Sequence, residues 1–175
     1  MQYPGNAPRG GQSLGPKDIM LSPKNSRNRA VILAGAPYSL AEHNGRGHGI
    51  RLGSITAAAI FTIDGNLDDR SAGVSIRLKA DPDLAFEVNF RKFEAGSNMS
   101  LWSVNNHREY AVRFCFNSDG TISPQVNQAL CIGVSKSDKN TLALVKKHDS
   151  RRIEFRQDNA SVRSAAATSR AEEEK

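Results

Sequence analysis

Phe114-Cys115-Phe116-Asn117-Ser118-Asp119-Gly120-Thr121-Ile122 reads as strand, tight turn, strand. Ser118-Asp119-Gly120 is turn chemistry, because Asp tolerates the left-handed region and Gly supplies positive φ at little steric cost. The residues before it, from Tyr110, are aromatic and apolar, and Thr121-Ile122 opens the next strand. Ile60-Phe61-Thr62-Ile63-Asp64-Gly65-Asn66-Leu67 has the same form, and Arg152-Ile153-Glu154-Phe155-Arg156 repeats its first half. Phe61, Phe114 and Phe155 are separated by about 53 and about 41 residues, a period that points to an array of supersecondary units. Three units result, roughly Leu21 to Phe61, Thr62 to Phe114 and Cys115 to Phe155.

Outward from this stretch, short strand signals alternate with turn signals. Arg29 to Leu33 is a strand, Gly35-Ala36-Pro37-Tyr38 a turn, and Glu42 to Gly49 a polar, Gly-rich loop. Ile55 to Ile63 reads as a strand region. Gly73 to Lys79 alternates strictly, with Val74, Ile76 and Leu78 on one face and Ser75, Arg77 and Lys79 on the other. Leu84 to Phe93 alternates too, placing Leu84, Phe86, Val88 and Phe90 together opposite Glu87, Asn89 and Arg91. Met99 to Val104, Leu130 to Val134, Leu142 to Val145 and Ile153 to Phe155 complete the set. Residues 1–28 are rich in Gly, Pro, Ser and Asn and read as a flexible arm, with Ile19-Met20-Leu21 its one apolar cluster, able to dock on the domain or a partner. Residues 29–156 form the domain, and 157–175 a disordered or weakly helical tail. No amphipathic helix interrupts the core.

The chain has 24 Lys+Arg against 18 Asp+Glu, a net charge of +6, but the basic residues are scattered. A mildly basic, solvated surface follows. The two cysteines, Cys115 and Cys131, sit in apolar strands and read as buried free thiols, with a single disulfide as the alternative in a secreted domain. The N-terminus lacks the basic and apolar regions of a signal peptide, and no apolar run reaches membrane-spanning length. An intracellular, cytoplasmic location without membrane association is the expectation.

Asn117 to Ile122, then Ala129-Leu130-Cys131-Ile132-Gly133-Val134, then Asn140 to Val145, then Ile153-Glu154-Phe155 are ordered like one lobe of a ricin-B-type β-trefoil. A lobe of that family runs D-G-x-I, L-C-L-D-V, V-x-L-x-x-C, Q-x-W. The chain resembles this pattern best over Val112 to Arg156, more loosely over the middle unit and poorly over the first. Phe61, Phe114 and Phe155 stand where the family's tryptophan packs. The family holds sugar with an Asp just after the Leu-Cys-Leu strand, and Gly133 occupies that place here. The many short strands spaced by turn signals imply an all-β fold, the resemblance implies a β-trefoil of about twelve short strands, and a β-sandwich or jelly roll is the alternative to it. It carries fold further than sugar binding.

Other chemistry has weaker footing. Glu42, His43 and His48 do not make up a metal set, so no metal or cofactor is expected. Gly45-Arg46-Gly47-His48-Gly49 lacks the context of a phosphate loop. Asp68-Asp69 and Asp81-Pro82-Asp83 lie in turns, no Gly-x-Ser-x-Gly elbow occurs, and Cys115 is embedded between two Phe. Asn98-Met99-Ser100 and Asn159-Ala160-Ser161 fit the glycosylation acceptor pattern, and with no export expected they read as chance matches. Nucleic acid ranks behind other partners: Arg77, Lys79, Arg91, Lys92, Arg108 and Arg113 beside Trp102 and Tyr110 could hold a single strand, but no binding signature accompanies them. The expected function is a non-enzymatic, lectin-like binding module for a carbohydrate or protein partner. Its contacts would come from Asn105, Asn106, His107, Asp138, Asn140 and His148 in polar loops. The alternative is a structural subunit of a large assembly, such as a capsid or organellar complex, or a homo-oligomer whose arms dock on neighbours.

Overall fold

The computed structural model describes residues 18–40, 45–105, 109 and 111–159. The first unit holds β1 (Asp18–Pro23), β2 (Arg29–Leu40), β3 (Gly45–Ser54) and β4 (Phe61–Asp64). The middle unit holds β5 (Ser75–Leu78), β6 (Asp81–Val88), β7 (Met99–Ser103) and β8 (Phe114–Phe116), and the third β9 (Ile122–Pro124), β10 (Leu130–Val134), β11 (Leu142–Lys146) and β12 (Phe155–Asn159). The fold is all-β, with antiparallel pairing throughout. Phe61, Phe114 and Phe155 each open the fourth strand of a unit, and all three are buried.

The pairing of first and fourth strands runs in a circle. β1 pairs with β4 and β12, β4 with β5, and β8 with β9. Val74, just before β5, exchanges backbone hydrogen bonds with Phe114 at 2.8 and 2.7 Å, and the Phe155 N–H donates to the Gly120 carbonyl at 2.8 Å. The second and third strands of each unit form hairpins. β3 pairs with β7, Asn98 bridges Ala143, and Arg51 bridges Thr141, so the three hairpins meet one another pairwise. Each hairpin contributes a pair of large buried apolar side chains near its middle: Val31 opposite Leu52, Phe86 opposite Leu101, and Ile132 opposite Leu144.

The Asp119-Gly120 turn closes β8 onto β9 as its residues dictate. Asp119 Oδ1 accepts from the Thr121 N–H at 2.9 Å, and Gly120 sits at φ +94°, where only glycine is unstrained. A Cβ there would also lie 2.9 Å from the Phe155 carbonyl oxygen. Phe86 stands edge-on to Phe61 and Phe114, with centroids 5.1 and 6.2 Å apart. These rings join the hairpin of the middle unit to two strands of the circle in the main core.

Several sequence expectations change. The arm is shorter than 1–28: Ile19, Met20 and Leu21 are buried in β1, because burial of three large side chains offsets the ordering of a short strand. At the other end β12 continues past residue 156 to Asn159. Residues 1–17 of the arm and 160–175 of the tail lie outside the described residues. Gly35 to Tyr38 is not a turn but a register shift within β2. Residues 55–63 are not one strand, since Ser54 caps a 3-10 turn over Ile55–Ala57 before β4 begins. β5 is buried on both faces rather than one. Arg77 is 5% exposed, its guanidinium held by Asp64 (3.2 Å), Ser75 Oγ (3.2 Å) and the Pro82 carbonyl (2.7 Å). Cys115 and Cys131 are buried free thiols, as expected, and burial pushes the Cys131 thiol up to about 11.

Candidate functional site

The buried pairs make corresponding positions of the three hairpins comparable. The residue after Val31, Phe86 and Ile132 is Ile32, Glu87 and Gly133; the residue after Leu52, Leu101 and Leu144 is Gly53, Trp102 and Val145. Only the middle unit has a carboxylate and an aromatic ring at these two places. In β6 and β7, Ala85 faces Trp102 and Glu87 faces Ser100, so Glu87 and Trp102 are diagonal neighbours on one face of the hairpin. They line a pocket of about 370 Å³ with Phe90, Arg91, Ser103 and Asn105.

The backbone around this pocket is unusual. Among the described residues, the non-glycine positions at positive φ are Phe90 (+59°), Arg91 (+52°) and Asn105 (+52°), and all three line it. Left-handed backbone costs a non-glycine residue about 1–3 kcal/mol and clusters where function holds it in place. Alternation along β6 therefore stops at Val88. A 3-10 turn over Asn89–Arg91 throws Phe90 outward to 98% exposure, correcting its expected place beside Leu84, Phe86 and Val88. The Ser100 hydroxyl donates to Asn89 Oδ1 at 2.8 Å and pins the turn to β7.

Glu87 is buried, with one oxygen accepting from the Val88 N–H (3.0 Å) and the other from Arg91 Nε (3.3 Å). Burial raises its pKa above the ordinary glutamate value, and the Arg91 charge offsets that rise only in part. Trp102 is half-buried and backed by the first unit. Its ring lies 5.8 Å from Tyr38 by centroid, tilted 36°, and β3 passes behind it. The Gly-rich segment is a strand here from Gly45, not a loop, because glycine lets the backbone come against the indole: a Cβ on Gly47 would fall 2.4 Å from the Trp102 ring. Arg46 of the same strand pairs with Asp81 (2.5 Å) and Asp83 (3.0 Å). Asp83 accepts from Ser103 Oγ at 2.6 Å, and Ser103 Oγ accepts the Asn105 N–H at 3.1 Å. This chain of contacts fixes the strained Asn105 from β3.

Of the expected contact residues, Asn105 lines the pocket, whereas Asn106 and His107 lie outside the described residues. Asp138 and Asn140 sit together in the β10–β11 turn. Asp138 accepts from the Asn140 N–H and the Thr141 hydroxyl, both at 2.9 Å, and Asn140 Oδ1 takes a hydrogen bond from Arg29. His148 is exposed in the turn after β11. None of these last three lines the Asn105 pocket. The basic set offered for nucleic acid is not one surface: Arg77 is buried, Lys79 pairs with Asp18 and Lys92 with Glu94, while Arg108 and Tyr110 lie outside the described residues. Among the described residues no group of three or more His, Cys, Asp and Glu side chains is placed to hold a metal, and no helix is long and apolar enough to cross a membrane. Glu42 and His43 lie outside the described residues, and His48 is buried with Nδ1 3.0 Å from the Gly49 carbonyl oxygen.

The third unit cannot make the same pocket. A Cβ on Gly133 would lie 2.5 Å from the Arg151 carbonyl oxygen and 2.7 Å from Val145 Cγ2, because the loop before β12 pairs against β10 there. Gly133→Asp is expected to destabilise the domain by about 1–3 kcal/mol in urea unfolding, as overpacking does, and to add no binding site.

No protein-family model matches the chain, and no curated protein matches it. Among solved structures, it is similar to part of a mosquitocidal holotoxin, with a TM-score of 0.61, 12% identity, and 85% of this chain covered. The match spans 18% of that longer chain. At this identity the likeness shows the fold alone.

Proposed function

We propose that this chain is a non-enzymatic binding module of β-trefoil form that holds a carbohydrate in the middle-unit pocket. The circle of first and fourth strands and the three hairpins meeting beside it support the trefoil reading. The observation that carries the ligand class is the diagonal pair of Glu87 and Trp102 on one pocket wall. A sugar ring has an apolar C–H face and a rim of hydroxyls. The indole supplies the flat apolar surface, the carboxylate accepts hydroxyl hydrogens in charge-assisted bonds, and Asn105 offers both a donor and an acceptor. Phe90 presents a second aromatic surface at the rim.

The test is a glycan array probed with the whole chain and with Glu87→Gln. A saccharide retained by the wild type and lost by the variant supports the reading; no retained glycan, or equal retention by both, overturns it. A pH titration separates carboxylate from shape. Because the Glu87 pKa is raised, binding is expected to weaken already as pH falls through values above the usual glutamate range. The stability linkage has the opposite sign. A raised carboxyl pKa stabilises the fold while the group is protonated, and this contribution is lost as pH rises through the folded-state value. Affinity and stability therefore move oppositely over one pH window, and Glu87→Gln is expected to abolish both trends.

A further inference from the structure

A second groove, of about 450 Å³, lies where the first and third units meet. Its walls carry Lys24, Arg29, Lys139, Arg151 and Arg152 against one carboxylate, Glu154. Two of these cations have acidic partners. Arg151 forks onto Asp149 at 3.0 and 2.8 Å, and Arg152 reaches Glu154 at 3.5 Å. The other three meet no carboxylate among the described residues. Lys24 Nζ donates to the Asp119 carbonyl at 2.9 Å, Arg29 donates to the amide oxygen of Asn140, and Lys139 stands exposed in the β10–β11 turn.

Neutral acceptors use part of what these groups offer: an ammonium has three donors and a guanidinium five. Three positive charges with no carboxylate partner among the described residues, set around one concavity, make its local potential positive, which favours an anion there. A tetrahedral oxyanion fits best, since its several oxygens can meet an Arg fork and two ammonium groups from different directions, whereas a carboxylate offers two oxygens in one plane. We propose that this groove binds a sulfate or phosphate ester group, at a site separate from the Glu87–Trp102 pocket.

Calorimetric titration of the whole chain with a heparin-derived hexasaccharide, and with vesicles containing phosphatidylinositol bisphosphate, tests this and tells the two sources apart. At least one probe is expected to bind the wild type, more weakly as salt is added. The affinity should fall at least tenfold in Lys24→Gln/Lys139→Gln and stay unchanged in Lys92→Gln, an exposed lysine that lines neither site. Lys139→Glu, a single change at an exposed position, gives the same reading if the double variant folds poorly. Binding of neither probe, binding equal in wild type and the Lys24 and Lys139 variants, or equal binding of the desulfated hexasaccharide would overturn the proposal.

Discussion

Trp102→Ala is expected to weaken carbohydrate binding by about 30-fold or more, the effect of removing about 2 kcal/mol from a central aromatic contact. The domain should stay folded. Trp102 is half-buried on the hairpin surface, backed by Gly47 and Tyr38, and is absent from the main core. Glu87→Gln keeps the shape of the pocket wall but replaces a charged acceptor, and a loss of about 1.5–3 kcal/mol is the scale for such bonds. The two side chains are neighbours on one face, so their losses should not add in the double variant if they grip the same ring. Binding of the array-selected glycan, measured beside circular dichroism of each variant, checks both. Retention of wild-type affinity by Trp102→Ala would remove the pocket from the account.

Phe86→Ala carries the largest expected effect on folding. The ring is fully buried between Phe61 and Phe114 in edge-on contacts, and truncating such a residue costs about 3–5 kcal/mol. Whole domains are stable by only about 5–15 kcal/mol, so the variant should unfold in far less urea and melt on the order of 10 °C lower. The reason is positional. Phe86 comes from the middle hairpin, whereas Phe61 and Phe114 open the fourth strands of two units. Its removal leaves a cavity where those parts meet. A loss below about 1 kcal/mol would mean that the aromatic cluster is not what joins them.

The fold was legible where its signals are local. The Asp119-Gly120 turn needs only the conformational freedom of Gly and the side-chain acceptor of Asp, and both act as expected. The spacing of Phe61, Phe114 and Phe155 reported the start of a strand in each unit because all three rings are buried in the same core. What failed was periodicity carried past a break. Alternation predicts Phe90 inside, but a side chain's face follows the backbone only while the strand continues, and here the backbone turns left-handed. The Gly-rich segment from Gly45 reads as a loop by composition. Its glycines instead make room for an indole more than fifty residues away, a contact no local rule can show. Asn105 was legible as a short polar loop residue. The Glu87–Trp102 pair was not, although one signal existed: Leu84-Ala85-Phe86-Glu87-Val88 set beside Leu130-Cys131-Ile132-Gly133-Val134 puts a carboxylate where the third unit has glycine.

Trp102 is the only tryptophan in the chain, so its fluorescence reports on the pocket without a label. The most direct measurement is a titration of the whole protein with the glycan selected on the array, followed by tryptophan emission. A saturable shift in emission, absent in Glu87→Gln, is the predicted result. A glycan that binds by calorimetry yet leaves the emission of Trp102 unchanged would contradict the account, since the sugar would then lie elsewhere on the molecule.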